Sequence, residues 1–229
     1  MTDHPILFSA PMIRALLSGA KSQTRRLLKP QPFADGYYEG EVDCIFVPAP
    51  ASNLHAYARF GAAAVGGGAV RTETFTPRIQ PGDRLYVREA YSGPYYFTDI
   101  APRHWKPSVP IWYWADGNPQ DGDWTKPKPG IHMPRWASRL TLTVTDVRVQ
   151  RLQDISEEDA RAEGAYVGKA SGRVADNQMA MNVGMWFASG RGWYADLWDR
   201  INGEGAWARN DWVAAYSFTV DRRNIDAEG

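Results

Sequence analysis

The chain has 229 residues, with Lys plus Arg and Asp plus Glu balanced at 26 each, 44% apolar residues and a single cysteine, Cys44. That length suits one large domain or one core with long insertions, and the even charge argues against a protein that coats long nucleic acid through a basic excess, while leaving room for a small basic pocket. One cysteine excludes an internal disulfide and a cysteine-rich zinc site, and no run of about 18 apolar residues is present to span a membrane. The start, Met1-Thr2-Asp3-His4-Pro5, lacks the basic and apolar regions of a secretory signal, so cytoplasm is the expected compartment.

In chain order, Ile6-Leu7-Phe8 reads as a short buried strand. Pro11 opens a helix, where a fixed φ and a missing N–H cost nothing. Met12, Ile13, Leu16 and Leu17 give that helix an apolar stripe, and Gly19 ends it. Thr24 to Lys29 reads as extended. Residues 31–80 form a first insertion with little structure of its own, punctuated by proline and Ala/Gly-rich over Ala62 to Val70. Pro81-Gly82-Asp83 is a turn signal, and Arg84 to Tyr91 follows as a strand. Residues 92–130 form a second insertion, with Ile111 to Ala115 a candidate strand inside it.

Leu140 to Leu152 is the plainest strand, alternating Leu, Leu, Val with Thr and carrying a bulge near Asp146. Ser156-Glu157-Glu158-Asp159 starts a helix with acids at the positive end of its dipole, and Gly164 stops it. A further helix is expected from Gly192 to Ile201, with Trp193, Leu197, Trp198 and Ile201 on one face and Asn202-Gly203 at its end. Trp212 to Val220 is the last strand, and residues 221–229 read as a loose tail. Strands dominate, short helices flank them and no βαβ repetition occurs. The pattern predicts an α+β protein, a single domain over 1–220 built on a small curved or closed sheet.

Two segments carry chemistry. On the strand from Arg84, side chains alternate, so Leu85, Val87, Glu89 and Tyr91 share a face. If the two aliphatics point inward, Glu89 does too, and a buried carboxylate must be paired, hydrogen-bonded or protonated. The second segment is Gly19-Ala20-Lys21-Ser22-Gln23-Thr24-Arg25-Arg26. A threonine hydroxyl is a weak nucleophile and needs a base beside it, a role open to Lys21 if its amine is neutral. Burial and the guanidiniums of Arg25 and Arg26 would lower its pKa and Glu89 would raise it. The sequence does not rank the two.

Other signals carry less. Asp116 to Asp123 has the acids of a calcium loop but the glycine one place late and Pro127 where a bidentate Glu belongs, so it reads as a polar turn. Gly66-Gly67-Gly68 has no Gly-Lys-Ser/Thr after it. His4, His55, His104 and His132 make no metal spacing, and no metal or cofactor is expected.

The segment helix–Gly-x-Lys-x-x-Thr-x-Arg–strand, the Pro-Gly-Asp-Arg before a strand ending in Glu, the Ile155 to Gly164 helix and the closing Trp-Val-x-x-Tyr-x-Phe strand together resemble the ASCH domain family of the PUA-like superfamily. His132-Met133-Pro134-Arg135-Trp136-Ala137-Ser138-Arg139 is similar to a branch common in phages and prophages. The resemblance covers roughly residues 5–30, 81–91, 131–165 and 193–220, with both insertions outside it. It implies a PUA-like small mixed β-barrel flanked by short helices, with a cleft between barrel and helices. One branch of the family removes the acyl group from N4-acetylcytidine, and its catalytic set maps onto Lys21, Thr24 and Glu89. That implies an amidohydrolase acting on an N4-acylated cytidine or a related modified pyrimidine nucleoside or nucleotide. Arg26 would stabilise the oxyanion, Tyr91 and Trp136 would stack on the base, and Arg135 would meet a phosphate or ribose. The competing expectations are a non-catalytic reader of RNA or modified nucleic acid, with single-stranded RNA or DNA as partner, and a ribonuclease.

Overall fold

The computed structural model describes residues 1–29, 31, 42–48, 54–60, 77–167, 174–175 and 187–227. Its centre is a five-stranded sheet of β1 (Asp3–Leu7), β2 (Gln23–Leu27), β5 (Arg84–Arg88), β8 (Thr141–Arg151) and β11 (Trp212–Asp221), in the order β1-β5-β8-β11-β2. β1 runs parallel to β5 and every other pairing in this sheet is antiparallel, as is that of the short strands β9 (Tyr166–Val167) and β10 (Val174–Ala175) outside it. Alternation drives this arrangement. Leu142, Val144, Val147 and Val149 of β8 are buried with Leu85 and Val87 of β5 and with Ala214, Tyr216 and Phe218 of β11. The register between β8 and β11 slips where Ser217 faces Asp146 and Phe218 faces Val144, so Thr145 is the extra residue of a bulge, beside the position the sequence suggested.

Helix α1 (Ala10–Leu17) carries a proline in its first turn and buries Ile13 and Leu16 against the sheet. The chain then turns through Gly19, whose φ of 75° lies in the left-handed region that glycine adopts without a Cβ clash. Helix α2 (Glu157–Ala162) is capped by Ser156, whose hydroxyl accepts from the Asp159 N–H at 3.0 Å. Helix α3 (Gly190–Asn202) is capped the same way by Ser189, and it packs Trp193, Tyr194 and Trp198 against Leu152, Ile155, Ala160 and Val213. These elements form the α+β body that the pattern predicts.

Three expectations change. Within residues 31–80, read as nearly structureless, β3 (Val42–Pro48) and β4 (Leu54–Phe60) pair as an antiparallel hairpin with Val42 opposite Phe60. The period-two patches there are short and proline-flanked, which hid them. The Ala/Gly-rich Ala62 to Val70 and its triple glycine lie outside the described residues. Second, the predicted strand to Tyr91 ends at Arg88. Tyr91–Ser92 forms β6, which pairs with β7 (Trp112–Tyr113) in a separate two-stranded sheet, and Trp105 and Val109 of the second insertion share a separate small core with Tyr91, Met133 and Ala137 from the segments that flank it.

Third, residues 221–227 are docked rather than loose. Ile225 is buried, and the Asn224 amide lies within hydrogen-bond distance of the carbonyls of Arg135, Trp136 and Ser138 at 2.9, 3.1 and 2.7 Å. Because Asn224→Ala strips donors from partly buried carbonyls, it is expected to cost about 1–3 kcal/mol. Urea unfolding followed by tryptophan fluorescence measures this.

Candidate active site: a lysine, a threonine and a helix-borne glutamate

β2 is an edge strand, and its side chains meet the C-terminal turn of α2. Asp159 and Glu163 are four residues apart, so they stack on one face and aim two carboxylates at the strand. Lys21 Nζ lies 2.7 Å from Glu163 Oε2 and also donates to the Glu163 carbonyl at 2.9 Å. Arg25 Nη1 meets Glu163 Oε1 at 3.1 Å and Gln23 Oε1 at 2.7 Å, and its Nη2 meets Asp159 Oδ2 at 2.6 Å. The Tyr194 hydroxyl, from α3, is 3.3 Å from Glu163 Oε1. Lys21 and Arg25 are each only 1% exposed and Glu163 4%. Two cations and two acids thus neutralise one another away from water, the condition under which buried charges are tolerated, with only Arg25 Nε of these groups left without a hydrogen-bond partner.

Burial pushes the Lys21 amine below its ordinary value of 10.5 and the nearby Arg26 and Arg25 push the same way, while Glu163 pulls it back up. Burial would raise Asp159, but Arg148 and Arg25 hold it below the usual carboxylate range. Burial and the neighbouring Glu163 lift the Tyr194 phenol well above 10.0, so Tyr194 serves as a neutral donor to the carboxylate.

A cleft of about 240 Å³ runs beside this cluster. Thr24, Arg25 and Arg26 line it from β2, Glu163 from the end of α2, and Tyr194, Leu197, Trp198 and Ile201 from α3, with Met12 of α1 at the rim. The α3 residues fall at i, i+3, i+4 and i+7, one helix face. The cleft therefore has a polar floor and an apolar wall. Because it follows a strand edge, residues of both parities reach it. Arg26 also donates to the Leu7 carbonyl at 2.8 Å and stacks over Phe8 at 5.1 Å, so a side chain of one edge strand is anchored at the end of the other.

Of the residues singled out from sequence, Thr24 and Arg26 line this cleft, and Lys21 lies behind it, bonded to the Glu163 that does. Glu89 is buried, as the alternation required, but its carboxylate grips Arg139, with Nε–Oε1 at 2.9 Å and Nη2–Oε2 at 3.0 Å. Arg139 then pairs with Asp116 at 2.7 Å and stacks over Tyr113 at 4.1 Å. Burial raises the Glu89 pKa and Arg139 opposes it. That clamp ties the second insertion to the main sheet. The carboxylate on Lys21 is Glu163, not Glu89.

Tyr91 has no exposed surface to offer a base. It donates its hydroxyl to the His132 carbonyl at 2.8 Å and packs edge-on to Trp105. Trp136 is half-buried against the same small core. Arg135 is engaged by Asp226 and Asp3, each at 2.6 Å, fastening the C-terminal segment to β1. None of these three is among the residues lining the cleft; the aromatic rings there are Tyr194 and Trp198. Two signals pointed to Glu163 without being read: Lys21, Gln23 and Arg25 share one strand parity, and Asp159 and Glu163 share one helix face.

Among the described residues no group of three metal-ligating side chains occurs and no helix is long and apolar enough to cross a membrane. Compared with models of protein families, with curated proteins and with solved structures, the chain matches none.

Proposed function

We propose that this protein is an amidohydrolase that removes the acyl group from an N4-acylated cytidine or a related modified pyrimidine nucleoside or nucleotide, on an ASCH-type, PUA-like barrel. The observation that carries the reading is the buried Lys21 amine, held by Glu163, itself bonded to the Tyr194 hydroxyl, next to a cleft that Glu163 and Thr24 line. The Arg26 tie between the two edge strands supports a sheet curled towards a barrel.

In this mechanism neutral Lys21 takes the Thr24 proton, and Thr24 Oγ attacks the amide carbonyl of the substrate. Arg26, at the cleft, stabilises the oxyanion, a contribution of about 3–4 kcal/mol where one donor has been removed from such a site. The tetrahedral intermediate collapses, and the N4 amine leaves with the proton held by Lys21. Water, deprotonated by Lys21, then attacks the threonyl ester; the acyl–oxygen bond breaks, the carboxylic acid leaves and Lys21 returns the proton to Thr24 Oγ. Glu163 fixes the amine in place throughout. The α3 wall of Leu197, Trp198 and Ile201 offers the pyrimidine an apolar surface.

Incubation with N4-acetylcytidine, followed by chromatography for cytidine, tests the substrate; no cytidine from the wild type overturns the reading. The rate should also rise with pH along one ascending limb whose midpoint lies below 10.5, because only the deprotonated Lys21 can accept a proton and burial depresses its pKa. Initial rates from about pH 6 to about pH 10 measure it. One observation favours a reader without chemistry: the 2.7 Å contact with Glu163 is what a permanently charged lysine would make. Tight binding of the nucleoside with no product at any pH marks that alternative.

A further inference from the structure

The second insertion builds a surface that the hydrolase reading does not use. Residues 91–95 and 123–128 lie antiparallel, with Tyr91 bridged to Lys128 and Pro94 to Trp124. The Thr125 N–H donates to the Gly93 carbonyl and the Tyr95 N–H to the Asp123 carbonyl. A Cβ on Gly93 would approach the Trp105 ring to 2.5 Å, so the pairing depends on glycine there. Trp124 is held by its indole N–H on the Asp121 carbonyl at 2.8 Å and by the Trp112 ring at 5.9 Å. Tyr95 beside it is 65% exposed.

These two rings form a ridge shared by two adjoining cavities of about 560 and 470 Å³. The larger is lined also by Pro102, Lys126, Lys128 and His132 and by no carboxylate; Asp123 borders the smaller. Lys128 is steadied over Trp105 at 5.6 Å, and Lys126 is exposed.

We infer that this groove binds single-stranded nucleic acid. Rigid aromatic faces accept any base by stacking, and the two ammoniums stand where a phosphate chain crossing the ridge would pass. The charge of the larger cavity suits a polyanion, and the exposed Tyr95 ring and half-buried Trp124 ring beside lysine suit one with unpaired bases. Stacking and phosphate contact do not distinguish RNA from DNA, so both serve as probes.

The test is fluorescence anisotropy of labelled oligouridylate and oligothymidylate strands with the full chain, beside a duplex of equal length and heparin. Single strands should bind more tightly than the duplex or heparin. Tyr95→Ala should weaken binding about fivefold or more, while Tyr95→Phe keeps it. Lys126→Ala should weaken binding and lower the slope of log Kd against log salt by about 0.7, one phosphate's share. Both side chains are exposed, so melting temperatures should stay at the wild-type value, and cytidine release from N4-acetylcytidine should be unaffected. Absence of single-strand binding, equal binding of duplex or heparin, or wild-type affinity in Tyr95→Ala each overturns the inference.

Discussion

Glu163→Ala is expected to remove about 3–5 kcal/mol of stability, the range for breaking a buried ion pair from one side. Arg25 would keep Asp159 and Gln23, but Lys21 would keep no acid, with the Glu163 backbone carbonyl and the Phe8 ring left to its ammonium. A buried amine without its acid escapes by shedding its proton, which sets the sign of the pH dependence. Lys21 already titrates below 10.5 in the folded protein, and loss of Glu163 removes the influence that raises it. The folded state then binds the proton less readily than the unfolded state, so stability falls as pH drops below the unfolded value and recovers as pH rises towards it. The penalty should therefore be largest in acid and shrink above neutrality. Urea unfolding of both proteins at several pH values measures it, and a penalty that grows with pH would contradict the assignment.

Lys21→Met and Thr24→Ala carry the largest expected effects on rate. Removing the base should slow hydrolysis about 10²–10⁴-fold, and removing the nucleophile should slow it at least as much. Met fills the same channel without a charge, and Glu163 keeps Arg25 and the Tyr194 hydroxyl. The stability cost of Lys21→Met should thus be modest, since apolar replacement of a buried ion often breaks even. A large rate loss with an almost unchanged denaturation midpoint separates chemistry from folding. If Lys21→Met instead unfolds the protein and Thr24→Ala stays active, Lys21 is a structural ion and the mechanism fails.

How much of this was legible in sequence depended on the range of the interaction. Period-two alternation placed β8 and β11, and the odd residue in Thr143-Val144-Thr145-Asp146-Val147 marked the bulge that the register displays at Thr145. The Ser156 cap and Gly164 stop placed α2, and the aromatic face with Asn202-Gly203 at its end placed α3, within about two residues, because a cap or stop is a contact between near neighbours. The burial of Glu89 followed from parity alone. Its partner did not: a salt bridge across 50 residues leaves no periodic trace, and several arginines were candidates. Tyr91 was misjudged for a related reason. An aromatic at the end of a strand reads the same whether it faces a ligand or a local core, and the core here is assembled from the insertion and the segments that flank it. The docking of residues 221–227 was hidden by their charge, since Asn224 and Asp226 dock by hydrogen bonds and an ion pair rather than by an apolar stripe.

The two carboxylates divide the labour of the molecule. Glu89 braces an insertion through Arg139 and Asp116, and Glu163 holds the amine beside the cleft. Hydrolysis of N4-acetylcytidine by Glu163→Gln, Thr24→Ala and Glu89→Gln, each corrected for its folded fraction, tests this division directly. The account predicts that Thr24→Ala and Glu163→Gln lose about a hundredfold or more while Glu89→Gln stays close to the wild type. Wild-type rates in Glu163→Gln together with an inactive Glu89→Gln would contradict it.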